Sequence, residues 1–293
     1  MRVLVTGANG YIGLKLIPQL LNRGHEVVAF VRDKQKLGDA PWRDKVDVRE
    51  GDVLRAASIP PAMMEVEAAY YLVHSMGGGR DFEDRDKKAA TNFADAAQHL
   101  KKVIYLGGLM PPKGKPASKH LASRAEVGRI LREKAHATEF RAGPIIGNGS
   151  ASFDVVRYLA NRLPVMVAPR WVKNKVQPIA IRNILAYLTD ALERDTPPIV
   201  EVGADPVTFR EMIDIYAEEK GIARVMFTVP VLTPWLSAQW IGLVTPIRNS
   251  VAVPIVEGMV QPLLVQNDAA RQYFPHIQPM PYRKAVKEAL EGA

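Results

Sequence analysis

A β-branched run, Arg2-Val3-Leu4-Val5-Thr6, passes without a linker into Gly7-Ala8-Asn9-Gly10-Tyr11-Ile12-Gly13. Beyond it Ile12, Leu16, Ile17, Leu20 and Leu21 repeat with the helical period, and Gly24 supplies a stop. Strand, glycine-spaced turn and helix in that order constrain the chain strongly. The first glycine permits a tight turn, the second lets the backbone approach a diphosphate, and the third allows close helix packing. The helix N-terminus then offers unpaired N–H groups and its positive dipole end to the phosphates. Gly7, Asn9, Gly10, Tyr11, Ile12 and Gly13 are therefore the candidate contacts to a dinucleotide. Pro18 falls inside this helix, where it must remove a backbone bond or bend the axis.

The alternation continues to about residue 145. Apolar runs at 26–31, 46–50, 69–73 and 103–107 predict strands, and amphipathic stretches at 61–66 (weakly), 82–99 and 120–134 predict helices. Continuous apolar strands separated by helices imply a parallel sheet covered on both faces. The predicted fold is α/β: a Rossmann-type doubly wound parallel sheet with a smaller, irregular C-terminal substrate lobe. Residues 1–145 form the nucleotide domain in this reading, and 146–293 the lobe, with segments returning to the sheet. In the proline-rich remainder a strand at 199–202 and a helix at 208–220 are readable. Two amphipathic segments follow, one carrying Trp235, Leu236, Gln239, Trp240 and Leu243, the other Ile255, Val256, Met259, Val260, Leu263 and Leu264. Their expected use is mutual packing over a pocket; an in-plane, peripheral membrane contact is the alternative.

The residue after the second strand decides between cofactors. An acidic group there binds the ribose 2′-OH of NAD, whereas arginine accommodates the 2′-phosphate of NADP. The sequence reads Val31-Arg32-Asp33-Lys34, so Arg32 favours NADP(H) over NAD(H). Asp33, one residue later, can still reach a ribose, which keeps NAD(H) open.

Composition removes several other classes. The 293 residues include no cysteine, so disulfides, thiolate metal sites and cysteine nucleophiles are excluded, and six scattered histidines make no metal pair. No apolar run reaches the roughly 18 residues of a membrane span. The start shows no secretory leader, which points to a cytoplasmic protein. A net charge of +8 is spread out; its densest stretches, 113–115 and 170–175, lack interleaved aromatics, and no nucleic-acid partner is expected. A homodimer stays open.

Gly7-x-x-Gly10-x-x-Gly13, Gly51-Asp52-Val53, Asn92 in Ala89-Ala90-Thr91-Asn92-Phe93, and Arg141-Ala142-Gly143-Pro144-Ile145-Ile146-Gly147 resemble the extended and atypical short-chain dehydrogenase/reductases. The resemblance is closest to the NAD(P)H-binding atypical branch, with its NmrA-like redox sensors and a complex I accessory subunit. Val73-His74-Ser75-Met76-Gly77 and Pro169-Arg170-Trp171 look like bacterial YbjT-type proteins. The resemblance implies that Asp52 and Val53 contact adenine and that Val73, His74 and Ser75 line the ribose. Gly107, Gly108 and Leu109 would lie under the nicotinamide, and Pro144 and Ile145 would flank it.

Active members of that wider family carry Ser or Thr at the end of the fifth strand and Tyr-x-x-x-Lys in the next helix. Here glycines occupy the first place, and His120 and Arg124 stand at the spacing of the second. The pairs Tyr11–Lys15 and Tyr216–Lys220 match the spacing in the wrong context. His120 and Arg124 are the catalytic candidates, the first as an imidazole titrating near neutrality and donating a proton, the second on the ribose or a substrate anion. The alternative makes them cofactor-holding or surface residues. The function that follows is an NADP(H)-dependent reductase of an apolar carbonyl- or quinone-like small molecule, with Trp171, Trp235 and Trp240 as pocket wall. A non-catalytic NADP(H)-binding redox sensor or assembly protein is the alternative. Sugar-nucleotide epimerase or dehydratase chemistry, which needs the absent tyrosine, ranks last.

Overall fold

The computed structural model describes residues 1–74, 81–229, 246 and 249–292. Ser75, Gly77 to Gly79 and the segment carrying Trp235 and Trp240 lie outside the described residues. Seven strands form one parallel sheet: β1 (Arg2–Thr6), β2 (Glu26–Val31), β3 (Asp47–Glu50), β4 (Ala68–Tyr71), β5 (Lys102–Gly108), β6 (Thr138–Ala142) and, much later, β11 (Ile199–Val202). Their spatial order is β11-β6-β5-β4-β1-β2-β3. The order reverses between β1 and β4, where the crevice of a doubly wound sheet opens at the carboxyl ends of the strands.

Period-two alternation assigns the two faces. Val3, Val5, Val27 and Ala29 pack against Leu16, Ile17 and Leu20 of α1 (Tyr11–Asn22) and against Ile184 and Leu188 of α6 (Ile181–Asp190). Leu4, Val28, Ala69 and Tyr71 face α3 (Phe82–Ala96) and α4 (Lys119–Ala135) through Ala90, Phe93, Val127 and Leu131. The expected doubly wound α/β architecture is what the chain forms, and its seventh strand and the covering α6 come from beyond residue 146.

Pro18 leaves α1 continuous. A proline at 18 cannot donate to the carbonyl of Leu14, and the indole Nε1 of Trp42 donates to that oxygen instead at 3.2 Å.

Around the sheet's far end sit α5 (Ala151–Arg162), the ribbon strand β8 (Val165–Pro169), α7 (Phe209–Lys220), β13 (Val225–Val229), α8 (Asn249–Met259) and α10 (Tyr282–Leu290). They share one apolar cluster, which also takes in Leu109 after β5 and Leu121 of α4. A capping box of Thr208 and Glu211 starts α7 and left-handed Gly221 ends it. Among the described residues no helix is long and apolar enough to cross a membrane.

Candidate active site

The crevice at the ends of β1, β4, β5 and β6 is a cleft of about 400 Å³. Thr6 sets its mouth: its Oγ1 donates to the carbonyl of Tyr70 and accepts from the N–H of Leu72, both at 3.0 Å, tying β1 to β4. The glycine turn follows. Gly7 adopts a left-handed φ of 66°, and the N–H of Gly10 closes the turn on its carbonyl at 2.9 Å. A Cβ on Gly13 would lie 2.5 Å from the same carbonyl, so only glycine lets α1 start this close to β1. Gly10 caps α1 with no side chain, and the first turn holds no acidic residue. The leading N–H groups are thus left for an anion. These observations fit a dinucleotide pyrophosphate. Gly7, Gly10, Tyr11, Ile12 and Gly13 line the cleft, whereas Asn9 is exposed beside it.

At the ends of β2 and β3 stand the other cofactor candidates, outside the cleft lining. Arg32 is exposed and makes no hydrogen bond or ion pair among the described residues. Asp33 is engaged: its carboxylate accepts from the N–H of Gln35 at 2.9 Å, capping a short 3-10 turn. Asp52 turns its carboxylate onto the N–H of Leu54 at 3.0 Å, and Asn92 donates to the carbonyl of Val53 at 3.0 Å. The loop after β3 is therefore held from both sides.

The deep end of the cleft collects Val73, His74, Gly107, Gly108, Leu109, Pro144 and Ile145 with His120 and Arg124. The two imidazoles touch, Nε2 to Nε2, at 2.9 Å. Behind them the buried carboxylate of Asp86, on α3, lies 3.5 Å from His74 Nδ1 and accepts from Ser123 Oγ at 3.1 Å. Arg124 donates to the carbonyl of Leu106 and its own carbonyl accepts from the Tyr105 hydroxyl at 3.1 Å, while its buried Nε has no hydrogen-bond partner among the described residues.

Burial is the largest effect on both imidazoles. Together with the neighbouring His74 and then Arg124 it lowers His120 to about 3, against the opposing pull of Asp86. His74 is also lowered, by burial first, with Asp86 opposing and Arg124 adding to the depression. The expectation of a histidine titrating near neutrality is corrected: His120 is a neutral imidazole in a hydrogen-bonded pair. Among the described residues no cluster of His, Asp and Glu is arranged to hold a metal ion.

Sequence reasoning missed Asp86 and Ser123. A signal was present, because Asp86 interrupts the buried stripe Ala89, Ala90, Phe93 and Ala94 at helical spacing, and Ser123 lies one turn after His120. Of the three tryptophans expected to wall the pocket, only Trp171 is among the described residues, and it lies outside the cleft lining. Trp171 packs 5.6 Å from Phe209 in the C-terminal cluster, and among the described residues the apolar wall comes from Leu109, Leu121, Pro254, Ile255, Met259 and Leu263. Tyr216 is buried against Phe153, and Tyr11 carries Lys15 over its ring, so neither tyrosine–lysine pair forms an acid–base couple at the deep end.

Residues 7–143 match the NAD(P)H-binding family. The chloroplastic divinyl chlorophyllide a 8-vinyl-reductase of Oryza sativa subsp. indica is 37% identical over 111 residues, 33% of this chain and 27% of that one. A 3-beta-hydroxysteroid dehydrogenase of Mycolicibacterium neoaurum is 28% identical over 109 residues, 36% of this chain and 28% of that one. The chain thus spans little more than a quarter of the length of these relatives. Among solved structures, triphenylmethane reductase of Citrobacter sp. superposes with a TM-score of 0.77 at 17% identity, covering 99% of this chain and 100% of that one. UDP-glucose 4-epimerase of Thermotoga maritima gives 0.75 at 12% identity, covering 99% and 98%. These two show the shared fold. Strand order and glycine turn agree with that family match, and residues 7–143 are similar to the NAD(P)H-binding family.

Proposed function

We propose that this protein is an NADP(H)-dependent oxidoreductase that reduces an apolar carbonyl- or quinone-like small molecule without the serine–tyrosine–lysine apparatus. The observation that carries the reading is the His74–His120 contact at 2.9 Å, backed by Asp86 and opening into a largely apolar cleft. When bound, the reduced nicotinamide supplies the hydride. Gly7, Asn9, Gly10, Tyr11, Ile12 and Gly13 would hold the pyrophosphate. Arg32 would take the 2′-phosphate, and Asp52 and Val53 would meet the adenine. Val73, His74 and Ser75 would border the ribose, and Gly107 to Leu109 with Pro144 and Ile145 would frame the nicotinamide.

His120 handles the proton. A neutral imidazole in contact with a second one can donate from one nitrogen while accepting at the other, so its low basicity does not forbid the step. His74 gives the replacement proton from Nε2 and regains one from water at Nδ1, where Asp86 holds the ring. Leu121, Ile255 and Met259 exclude water and favour a flat, apolar substrate. Residues 1–145 then act as the nucleotide unit and 146–293 as the substrate lobe, in a cytoplasmic protein of the YbjT-like branch.

The glycines at the end of β5, where the hydroxyl of the usual apparatus is missing, favour a second reading: a sensor that holds NADP(H) without turnover. Turnover of NADPH with a panel of quinones and aldehydes separates the two. His120→Ala is expected to lower turnover about 100-fold or more and to leave NADPH affinity within about threefold. Equal turnover in the variant removes His120 as proton donor, and no turnover with tightly held NADPH selects the sensor.

A further inference from the structure

The parallel ribbon of β8 and β13 is apolar on both faces. Met166, Ala168 and Met226 point into the C-terminal core. Val165, Val167, Val225 and Phe227 point out, 60%, 48%, 51% and 57% exposed. The register sets Val165 beside Val225 and Val167 beside Phe227. Adjacent strands lie about 4.8 Å apart, so the four side chains form one patch. A strand with one wet face ordinarily alternates apolar with polar residues; this ribbon carries valine and phenylalanine where polar residues belong.

The rim of the patch is predominantly basic: beside its second strand Asp214 is paired with both Arg210 and Arg224, and Glu211 feels Lys175. Arg162 ends α5 just before β8, Arg170 follows β8, and Lys173 and Lys175 come next, all four exposed. Between Asp154 and Asp190 the chain carries Arg157, Arg162, Arg170, Lys173, Lys175 and Arg182 and no carboxylate side chain. Four side chains are far below the roughly 20–30 residues that each partner of a stable protein interface contributes. A second copy seated across a two-fold axis would also set this basic rim against itself. An anionic bilayer answers both features, because its interface accepts apolar side chains and its surface potential attracts lysine and arginine.

We propose that the β8–β13 face docks on an anionic phospholipid surface, making the protein a peripheral membrane protein. The attachment is independent of the proposed reductase chemistry, since none of the four outward side chains lines the cleft.

The test is co-sedimentation of the full chain with large vesicles of phosphatidylcholine, alone or with one third phosphatidylglycerol. Binding is expected to the mixed vesicles and to be at least about tenfold weaker to phosphatidylcholine alone or in high salt. Phe227→Asp and Val167→Asp should each weaken it about tenfold. Loss of Arg170 and Lys173 together should cost about fivefold per residue. Unchanged thermal midpoints and NADPH affinity in these variants exclude misfolding as the cause. Absence of vesicle binding, or binding that Phe227→Asp leaves intact, overturns the proposal. A concentration-dependent dimer that Phe227→Asp dissociates would also overturn it, in favour of a second copy.

Discussion

Replacing Gly143 by alanine should destabilise the protein severely, although the change adds one methyl group at the cleft's edge. A Cβ there would lie 1.7 Å from the carbonyl oxygen of Gln177 and 2.7 Å from its carbon. Carbon–oxygen contacts ordinarily need about 3.3 Å, so one strand of backbone must move by roughly 1.5 Å. Gln177 cannot yield cheaply. Its N–H donates to Leu263 at 3.0 Å, its side-chain amide donates to Ala204 at 2.8 Å, and its side-chain oxygen accepts from Val265 at 2.6 Å. The next residue, Pro178, accepts from Ala204 at 2.8 Å. Overpacking of about 1–3 kcal/mol, plus one or two of these bonds at about 1 kcal/mol each, gives roughly 3 kcal/mol. For a chain of this length that is a fall in Tm of about 5 °C. Urea unfolding of wild type and Gly143→Ala measures it directly. Gly258→Ala is the control at the same cleft: among the described residues its Cβ, within α8, would meet only Leu121, at an ordinary 3.8 Å. It should be neutral or stabilising by up to about 1 kcal/mol. A Gly143→Ala variant within about 0.5 kcal/mol of wild type would refute the close-approach argument.

Arg32→Ala should weaken NADPH binding about 10- to 100-fold, the worth of a charge-assisted hydrogen bond, and leave NADH almost unchanged; calorimetry showing the same ratio before and after would remove Arg32 from the cofactor choice. His120 is held at about 3 against an ordinary 6.5, and His74 is depressed too. The unfolded chain therefore takes up these protons first, so the stabilisation is complete above about pH 6.5 and is lost as pH falls toward about 3. The unfolding free energy from urea titrations should drop with a slope approaching 1.4 kcal/mol per pH unit for each histidine at most, and His120→Gln should flatten that slope. An identical slope in the variant would show that His120 is not depressed in the folded state.

The sequence by itself determined the nucleotide-binding half. Its information there is local: a strand, a glycine turn and an amphipathic helix are contiguous in the chain, and the apolar periods that follow fix β2 to β5, α3 and α4 within a few residues, whereas β6, with Glu139 and Arg141 in its run, was not legible as a strand. The position of Arg32 after β2 was readable for the same reason. Pro18 looked like a fault, because the indole that satisfies the orphaned Leu14 carbonyl sits on a distant loop. The deep end of the cleft was only half legible. His120 and Arg124 could be marked by their spacing, but the partner of His120 comes from the end of β4 and the carboxylate behind it from α3. Only the packing of three elements against one another brings them within hydrogen-bond reach, and only the burial that results drives His120 far from neutrality. The place of the 199–202 strand beside β6, the apolar cleft wall and the outward face of the β8–β13 ribbon depend likewise on pairings between residues far apart in the chain. No local pattern carries those pairings, so the tertiary structure alone decided them.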